Sequence, residues 1–150
     1  MALVKEYFEL TNKYQSEYGT NTILLMQVGS FHETYALQDK TTSLISGSQI
    51  EDFSRICDLN IASKNISIGN ASVVMAGFGC YMIDKYIKKM QEAGYTIVVY
   101  NQDEQKSNTT RSLAGIFSPG TYFSHDAIKI TNNTTCIWIN VVEPSILTSK

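Results

Sequence analysis

The feature that most constrains the fold is the apolar run 23–26 (Ile-Leu-Leu-Met), which leads into the segment 28–34 (Val-Gly-Ser-Phe-His-Glu-Thr). A short apolar run bounded by a turn signal predicts a buried strand, and Gly29 is where the backbone can turn out of it. Phe31 and Glu33 follow two positions apart. If this segment is extended, both side chains leave the same face of the backbone.

An aromatic ring beside a carboxylate at the mouth of a strand has two interpretations. The ring can wedge between stacked bases while the carboxyl group hydrogen-bonds to a base edge. In the other interpretation, Phe31 belongs to the core and Glu33 is a solvated acid at the start of a helix. Because such pairs are common, the two residues taken alone favour the second interpretation.

Composition limits the ways in which this chain could hold a nucleic acid. With 150 residues, 43% apolar and 17% charged, it has the length and composition of one folded domain. Its net charge of −2 argues against a protein that holds DNA by bulk electrostatics. Any contact with nucleic acid must therefore be local, or other parts of a larger protein must supply the positive charge.

The cysteines and the N-terminal sequence indicate an intracellular, non-secreted protein. The 3 cysteines include no close pair and no Cys-x-x-Cys, which predicts reduced thiols and no zinc site. The first residues lack the apolar core of a signal peptide. No apolar run approaches the roughly 20 residues of a membrane span, so we expect no membrane partner.

Apolar periodicity predicts an α+β fold, a mixed β-sheet flanked by α-helices. The predicted helices cover residues 3–18, 34–45, 50–59 and 81–93. The predicted strands cover residues 22–28, 59–63, 71–78, 95–100 and 113–117. Lys64 is predicted to lie in the hairpin turn 64–70, and residues 101–110 form a polar loop.

The chain changes character beyond Thr121. Two strand-like runs, 127–130 and 135–142, follow with no helix to cover them. We expect residues 1–125 to form one domain and residues 126–150 to be a linker and the first strand of a truncated following domain.

No enzyme motif is present. The spacing of His32, Glu33, Asp39 and His125 matches no metal-ligand pattern, and no phosphate loop, dinucleotide fingerprint or nucleophile elbow occurs. We therefore expect no catalytic residue, metal or cofactor in this chain. The lysines of the helix 81–93 are predicted to form a solvated face.

Several separated segments resemble the N-terminal, mismatch-recognition domain of the MutS family of DNA mismatch-repair proteins. The segment 29–33 resembles the family signature Gly-Asp-Phe-Tyr-Glu, and 75–78 (Met-Ala-Gly-Phe) resembles its Met-Ala-Gly-aliphatic turn. Three further segments resemble its helix, glycine and strand that end in a Gln, and a fourth its Thr-Pro-Gly-Thr turn: 86–90, 94–95, 98–102 and 118–121. Their order and spacing make the resemblance specific over about residues 5–125.

The resemblance implies that Phe31 inserts beside a mispaired base from the minor groove and that Glu33 hydrogen-bonds to this base. A mismatch suits such chemistry because its stacking and pairing are already weak, so a kink costs less there. Lys64, Met75 and Arg111 are candidate neighbours of the duplex; Lys64 or Arg111 could position its backbone. The alternative is a non-catalytic interaction domain that has lost mismatch sensing, with Phe31 packed as core.

The resemblance also implies partners outside this chain. The expected ligand is double-stranded DNA that contains mismatches or small loops. The parent protein is expected to be a homodimer or heterodimer with a separate ATPase domain that binds ATP and Mg.

Three residues depart from the family pattern. Ser30 replaces its Asp, His32 its Tyr, and Gly79 a Pro after the Met-Ala-Gly turn. The interval from Glu33 to Lys64 is also about ten residues longer than in typical bacterial members. These departures leave the preferred mismatch open.

Overall fold

The sheet forms around the predicted apolar strand and its neighbours. The computed structural model describes residues 2–103, 110–119, 121 and 135–140. The helices are α1 (Ala2–Tyr18), α2 (Ile50–Cys57) and α3 (Ile83–Glu92), and a 3₁₀ turn covers Cys80–Met82. The strands are β1 (Thr22–Val28), β2 (Phe31–Asp39), β3 (Ile45–Ser46), β4 (Ala62–Ile68), β5 (Ala71–Gly79), β6 (Thr96–Gln102) and β7 (Arg111–Phe117).

The strand order is β4-β5-β2-β1-β6-β7, with β3 added to β2. β1 and β6 run parallel, and the other pairs run antiparallel. Helices cover both faces of this sheet. The predicted α+β architecture with a mixed sheet flanked by helices is therefore confirmed.

Alternate residues of the central strands divide the core into two clusters. Ile23 and Leu25 of β1 face α2 and α3 and pack there with Phe53 and Ile87. The intervening Leu24 and Met26 face α1, where Val4, Tyr7 and Tyr14 cover them. Because successive side chains of a strand point to opposite faces, one apolar run supplies both clusters.

The prediction of a helix over residues 34–45 is wrong. Residues 31–39 form β2, which pairs with β5 along its whole length, from Phe31 opposite Gly79 to Asp39 opposite Ala71. Its residues 32–36 are all buried, so the alternation that identifies a half-exposed strand is absent from the sequence. Buried on both faces, β2 cannot be distinguished from a buried helix by periodicity.

Lys64 does not lie in a hairpin turn as predicted. The strand expected over 59–63 begins later, at Ala62, and Lys64 lies within β4. The register between β4 and β5 shifts between Ser63 and Ser67, and Asn65 takes a positive φ of 58° there. Such a bulge redirects the side chains beside it, and Asn tolerates this backbone conformation better than most residues.

Tyr7 inserts its hydroxyl where β1 and β2 leave each other. The two strands pair from Val28 opposite Phe31 as far as Met26 opposite Glu33. Beyond that point, the Tyr7 hydroxyl is 2.6 Å from the Thr34 Oγ1 and donates to the Leu24 carbonyl oxygen at 3.3 Å. The Tyr7 hydroxyl of α1 thereby links β1 to β2 beyond the residues through which the two strands pair.

The predicted second domain lies largely outside the described residues. Of the two strand-like runs, 127–130 is outside them, as is His125, and the described part of the second, 135–140, forms no strand. Within the described ranges, none of the helices has both the length and the apolar character that crossing a bilayer requires.

Candidate nucleic-acid interface

The Gly29-Ser30 turn presents Phe31 at one end of the sheet. Val28 and Phe31 are paired, so the turn has two residues, and Gly29 takes a positive φ of 59°. A two-residue hairpin with glycine at its first position is typical of a type II′ turn, whose twist matches that of the flanking strands. Glycine is needed here because other residues rarely adopt this backbone conformation.

Polar contacts hold this turn from both sides. The Gly29 N–H donates to the Gln102 side-chain oxygen at 2.9 Å, and the Gln27 side-chain amide donates to the Gly29 carbonyl oxygen at 3.0 Å. On the other side, the Cys80 N–H donates to the Ser30 carbonyl oxygen at 2.9 Å. The turn is therefore tied to β6 and to the end of β5.

Phe31 points away from the core, with 54% of its surface exposed. The alternative interpretation required this ring to pack inward, and its exposure contradicts that part of the alternative. A large aromatic ring exposed on an anchored turn is available for contact with a partner.

Glu33, by contrast, is a buried carboxylate with two partners, with only 6% of the residue exposed. The interpretation of Glu33 as a solvated acid at a helix start is therefore wrong. Lys64 Nζ and the Tyr35 hydroxyl each lie 2.5 Å from the same oxygen, Oε2. The ammonium offsets the carboxylate's charge, and both contacts fix the orientation of the side chain.

Tyr35 is suited to this role because its hydroxyl remains a donor. Burial first, and then the hydrogen bond to Glu33, raise the pKa of Tyr35 far above its usual value. Its ring is fully buried, packs edge-on against Tyr7 with centroids 4.9 Å apart, and lies under the Lys64 ammonium.

Gly77 makes room for Glu33. The two residues are direct partners across β2 and β5. A Cβ at Gly77 would lie 2.7 Å from the His32 carbonyl oxygen and 3.2 Å from the Glu33 Cγ. This close approach gives a physical reason for glycine in the Met-Ala-Gly-Phe segment.

The five residues singled out from the sequence share one face of the sheet. Phe31 and Glu33 occupy alternate positions of β2 and therefore share a face. Met75 of β5 and Lys64 of β4 lie on the same face. Arg111 of β7 is the direct partner of Gln102 of β6, and both also lie on this face. Met75 is half-buried against the α1 cluster. Arg111 is also half-buried, and its Nε donates to the Gln27 carbonyl oxygen at 2.7 Å.

His32 points to the opposite face from Phe31 and Glu33. Its Nε2 is 3.0 Å from the Asn101 side-chain oxygen, and its ring lies near Phe78. Burial lowers the pKa of His32 below its usual value, although the contact with Asn101 acts in the other direction. Adjacent positions on a strand thus keep His32 and Glu33 apart, and the described residues contain no cluster of three metal-ligating side chains.

Sequence reasoning did not identify Tyr35, Gln27 or the contact between Gln102 and Gly29. Gln102 was noted only as the end of a strand that resembles the family. Tyr35 follows Glu33 by two positions, so an extended segment would have predicted their contact. Because residues 34–45 were predicted to be helical, this contact was not predicted.

Comparison with known proteins decides the family. The family model for MutS domain I matches residues 1–126. The chain belongs to the MutS domain I family. The resemblance found in the sequence is thereby confirmed, and Phe31, Glu33 and the glycines around them lie within the matched residues.

The relatives of this MutS domain are mismatch-repair proteins by name. A putative DNA mismatch repair protein mutS homolog of Acanthamoeba polyphaga mimivirus is 28% identical over 135 residues, or 89% of the chain. DNA mismatch repair protein MutS of Fusobacterium nucleatum is 27% identical over 94% of the chain. A mitochondrial DNA mismatch repair protein mutS homolog of Sarcophyton glaucum is 26% identical over 76% of it. The chain spans 12–14% of the length of these relatives.

Proposed function

We propose that this MutS domain is the mismatch-sensing module of a larger DNA mismatch-repair protein. Phe31 inserts from the minor groove beside a mispaired base, and Glu33 hydrogen-bonds to that base. The observation that carries the proposal is that an exposed Phe31 and a buried Glu33 lie two residues apart on the same strand. Two side-chain contacts fix the orientation of Glu33.

The surroundings of Phe31 suit insertion. A wedge must resist being pushed back when it separates stacked bases, and the Gly29-Ser30 turn that carries Phe31 is hydrogen-bonded to two strands. A mispaired step lowers the cost of unstacking, so the ring enters there in preference to matched steps.

The surroundings of Glu33 suit reading of one base. Lys64 and Tyr35 both contact Oε2, which leaves Oε1 as the oxygen that can accept a base N–H. The Lys64 ammonium also reduces the repulsion between a carboxylate and the phosphates. Lys64 is also a candidate to position a phosphate. It would do so after its partly exposed side chain shifts toward the duplex.

Because the chain carries a small net negative charge, we expect other parts of the parent protein to supply most of the affinity for DNA. With a net charge of −2, the domain cannot neutralise many phosphates. From the family resemblance, the proposal also includes a parent that is a homodimer or heterodimer and carries an ATPase domain for ATP and Mg. It also places that parent in an intracellular compartment that contains DNA.

The test measures binding of the full-length protein to matched duplexes and to duplexes with one mismatch, at one stated salt concentration. Wild type is expected to prefer the mismatch, and Phe31→Ala to remove this preference, with a loss of about tenfold or more at the mismatch, as for an interface hot spot. Leu44→Ala, an exposed residue in the loop after β2, is the control and should bind as wild type does. Equal binding of both duplexes by wild type and Phe31→Ala would refute the proposal.

A further inference from the structure

A second exposed aromatic side chain lies beside Phe31. Tyr81, in the 3₁₀ turn that follows β5, is 90% exposed. Its position was not singled out in the sequence, and the proposed function gives it no role. Its surroundings nevertheless link it to the Phe31 turn.

Gly79 establishes where the Tyr81 ring lies. A Cβ at Gly79 would lie 2.5 Å from Tyr81 Cε1 and 3.0 Å from Cδ1, so the ring occupies the space that a side chain at position 79 would take. Gly79 is the direct partner of Phe31 across β2 and β5. Opposed residues of an antiparallel pair have Cβ atoms about 4.5–5.5 Å apart, so the Tyr81 ring edge lies within about 8 Å of the Phe31 Cβ.

The same backbone connection anchors both rings. The Cys80 N–H donates to the Ser30 carbonyl oxygen, which joins the residue before Tyr81 to the residue before Phe31. The two aromatic residues thus project from one hydrogen-bonded unit, on the side of the sheet where Phe31 is exposed. An exposed tyrosine at such a place combines an apolar ring face with a hydrogen-bonding hydroxyl.

We propose that Tyr81 is a second contact with the deformed duplex, which packs its ring on the sugar and base edge next to the step opened by Phe31. This inference rests on the proposed function and deepens it. Because the proposed contact is with the step that Phe31 opens, we expect Tyr81 to contribute to the mismatched complex and not to the matched one. Gly79 is the positioning residue, since only the absence of a side chain there lets the ring lie against the strand.

The experiment measures the affinity of the full-length protein for matched and mismatched duplexes at one salt concentration. Tyr81→Ala is expected to weaken mismatch binding about tenfold and to leave matched binding within about twofold, whereas Tyr81→Phe keeps most of the affinity because the ring remains. Tyr18→Ala is the matched control: Tyr18 is also an exposed tyrosine, but it precedes the opposite end of β1. It should bind as wild type does.

Gly79→Ala tests the position of the ring without removing it. Its backbone angles, φ −62° and ψ 138°, suit alanine, so the fold should be retained while the new methyl group displaces the Tyr81 ring. The variant is expected to weaken mismatch binding as Tyr81→Ala does. The double variant Gly79→Ala/Tyr81→Ala should lose no more affinity for the mismatched duplex than either single variant, since the two substitutions remove the same contact.

The outcomes separate this inference from the proposed function. If Phe31→Ala removes the mismatch preference while Tyr81→Ala binds as wild type does, the inference is wrong and the proposed function stands. A Tyr81→Ala variant that weakens matched and mismatched binding equally would also refute it. If wild type shows no mismatch preference, both fail.

Discussion

The two faces of the central sheet differ in how completely they are covered. On one face, α2 and α3 bury an apolar cluster that includes Phe53, Ile87 and Ile97. On the other, α1 covers part of the sheet, and the face continues past this cover to an exposed Phe31 and to an ion pair between the buried Glu33 and the partly exposed Lys64. The first face is organised for stability, and the second combines a core with a surface for a partner.

β2 shows this division along a single strand. His32 and Ala36 point to the α2–α3 face, and Phe31, Glu33 and Tyr35 point to the other. A substitution of a side chain that is buried on either face is therefore expected to change the free energy of unfolding, and a substitution of the exposed Phe31 to change DNA binding. The following predictions test this separation.

The largest effect is expected from Phe53→Ala. Phe53 is fully buried on the α2–α3 face, and its loss should lower the free energy of unfolding by about 3–5 kcal/mol, through lost burial and a cavity. Chemical denaturation of the chain measures this. Phe31→Ala, which removes the same side chain from the exposed site, should change stability by less than about 0.5 kcal/mol. Similar losses of stability for both variants would contradict this difference between the buried Phe53 and the exposed Phe31.

Lys64→Met should have the next largest effect. It leaves the Glu33 carboxylate, 8% exposed, without its ammonium partner. Breaking a buried pair costs about 3–5 kcal/mol, and because the Lys64 side chain is 25% exposed we expect about 2 kcal/mol in denaturation experiments.

The double variant Glu33→Gln/Lys64→Met sharpens this prediction. Removing both charges should recover part of the stability that Lys64→Met loses, which gives a coupling energy between the two residues. Tyr35→Phe is the matched variant for the other contact and should cost about 1–2 kcal/mol, since it removes one hydrogen bond to a charged group. Additive effects of Glu33→Gln and Lys64→Met would show that the pair does not stabilise the fold.

The smallest expected effect is a pH dependence of the free energy of unfolding, caused by His32 on the α2–α3 face. Burial lowers the pKa of His32 in the folded chain, so below the unfolded value of about 6.5 the unfolded state binds a proton that the folded state does not. The free energy of unfolding should therefore decrease as pH falls from about 7 toward 5. The reduction should be absent in His32→Gln.

Protonation of two carboxyl groups also lowers the free energy of unfolding in acid, but at a lower pH than protonation of His32. Hydrogen bonds from the Thr42 backbone and from Tyr95 hold the pKa values of Asp39 and Asp52 below their usual range. Their contributions are lost only as pH falls through those lower values. An unchanged slope between pH 7 and 5 in His32→Gln would exclude His32 as its source.

Much of the fold was predictable where periodicity or glycine signals were strong. The helices α1 and α3 show amphipathic patterns, and β1 and β6 are short apolar runs between turns. β2 was not predictable in this way. Both of its faces are buried, and its burial depends on helices and strands distant in sequence.

The candidate site was predictable as a set of residue types but not as a set of contacts. The two-residue spacing of Phe31 and Glu33 follows from the chain itself. The contact of Glu33 with Lys64 joins residues 31 positions apart, and that of Gly29 with Gln102 spans 73. Contacts at such separations depend on strand order and register, which no local pattern contains.

The order and spacing of motifs along the sequence identified the family. The sequence by itself also determined the apolar strand β1, the turn at Gly29 and the projection of Phe31 and Glu33 from one face, because these depend on local backbone geometry. Only the tertiary structure decided that Phe31 is exposed while Glu33 is buried against Lys64 and Tyr35. Burial and charge pairing are set by which strands become neighbours, and this neighbourhood exists only after the whole sheet has formed.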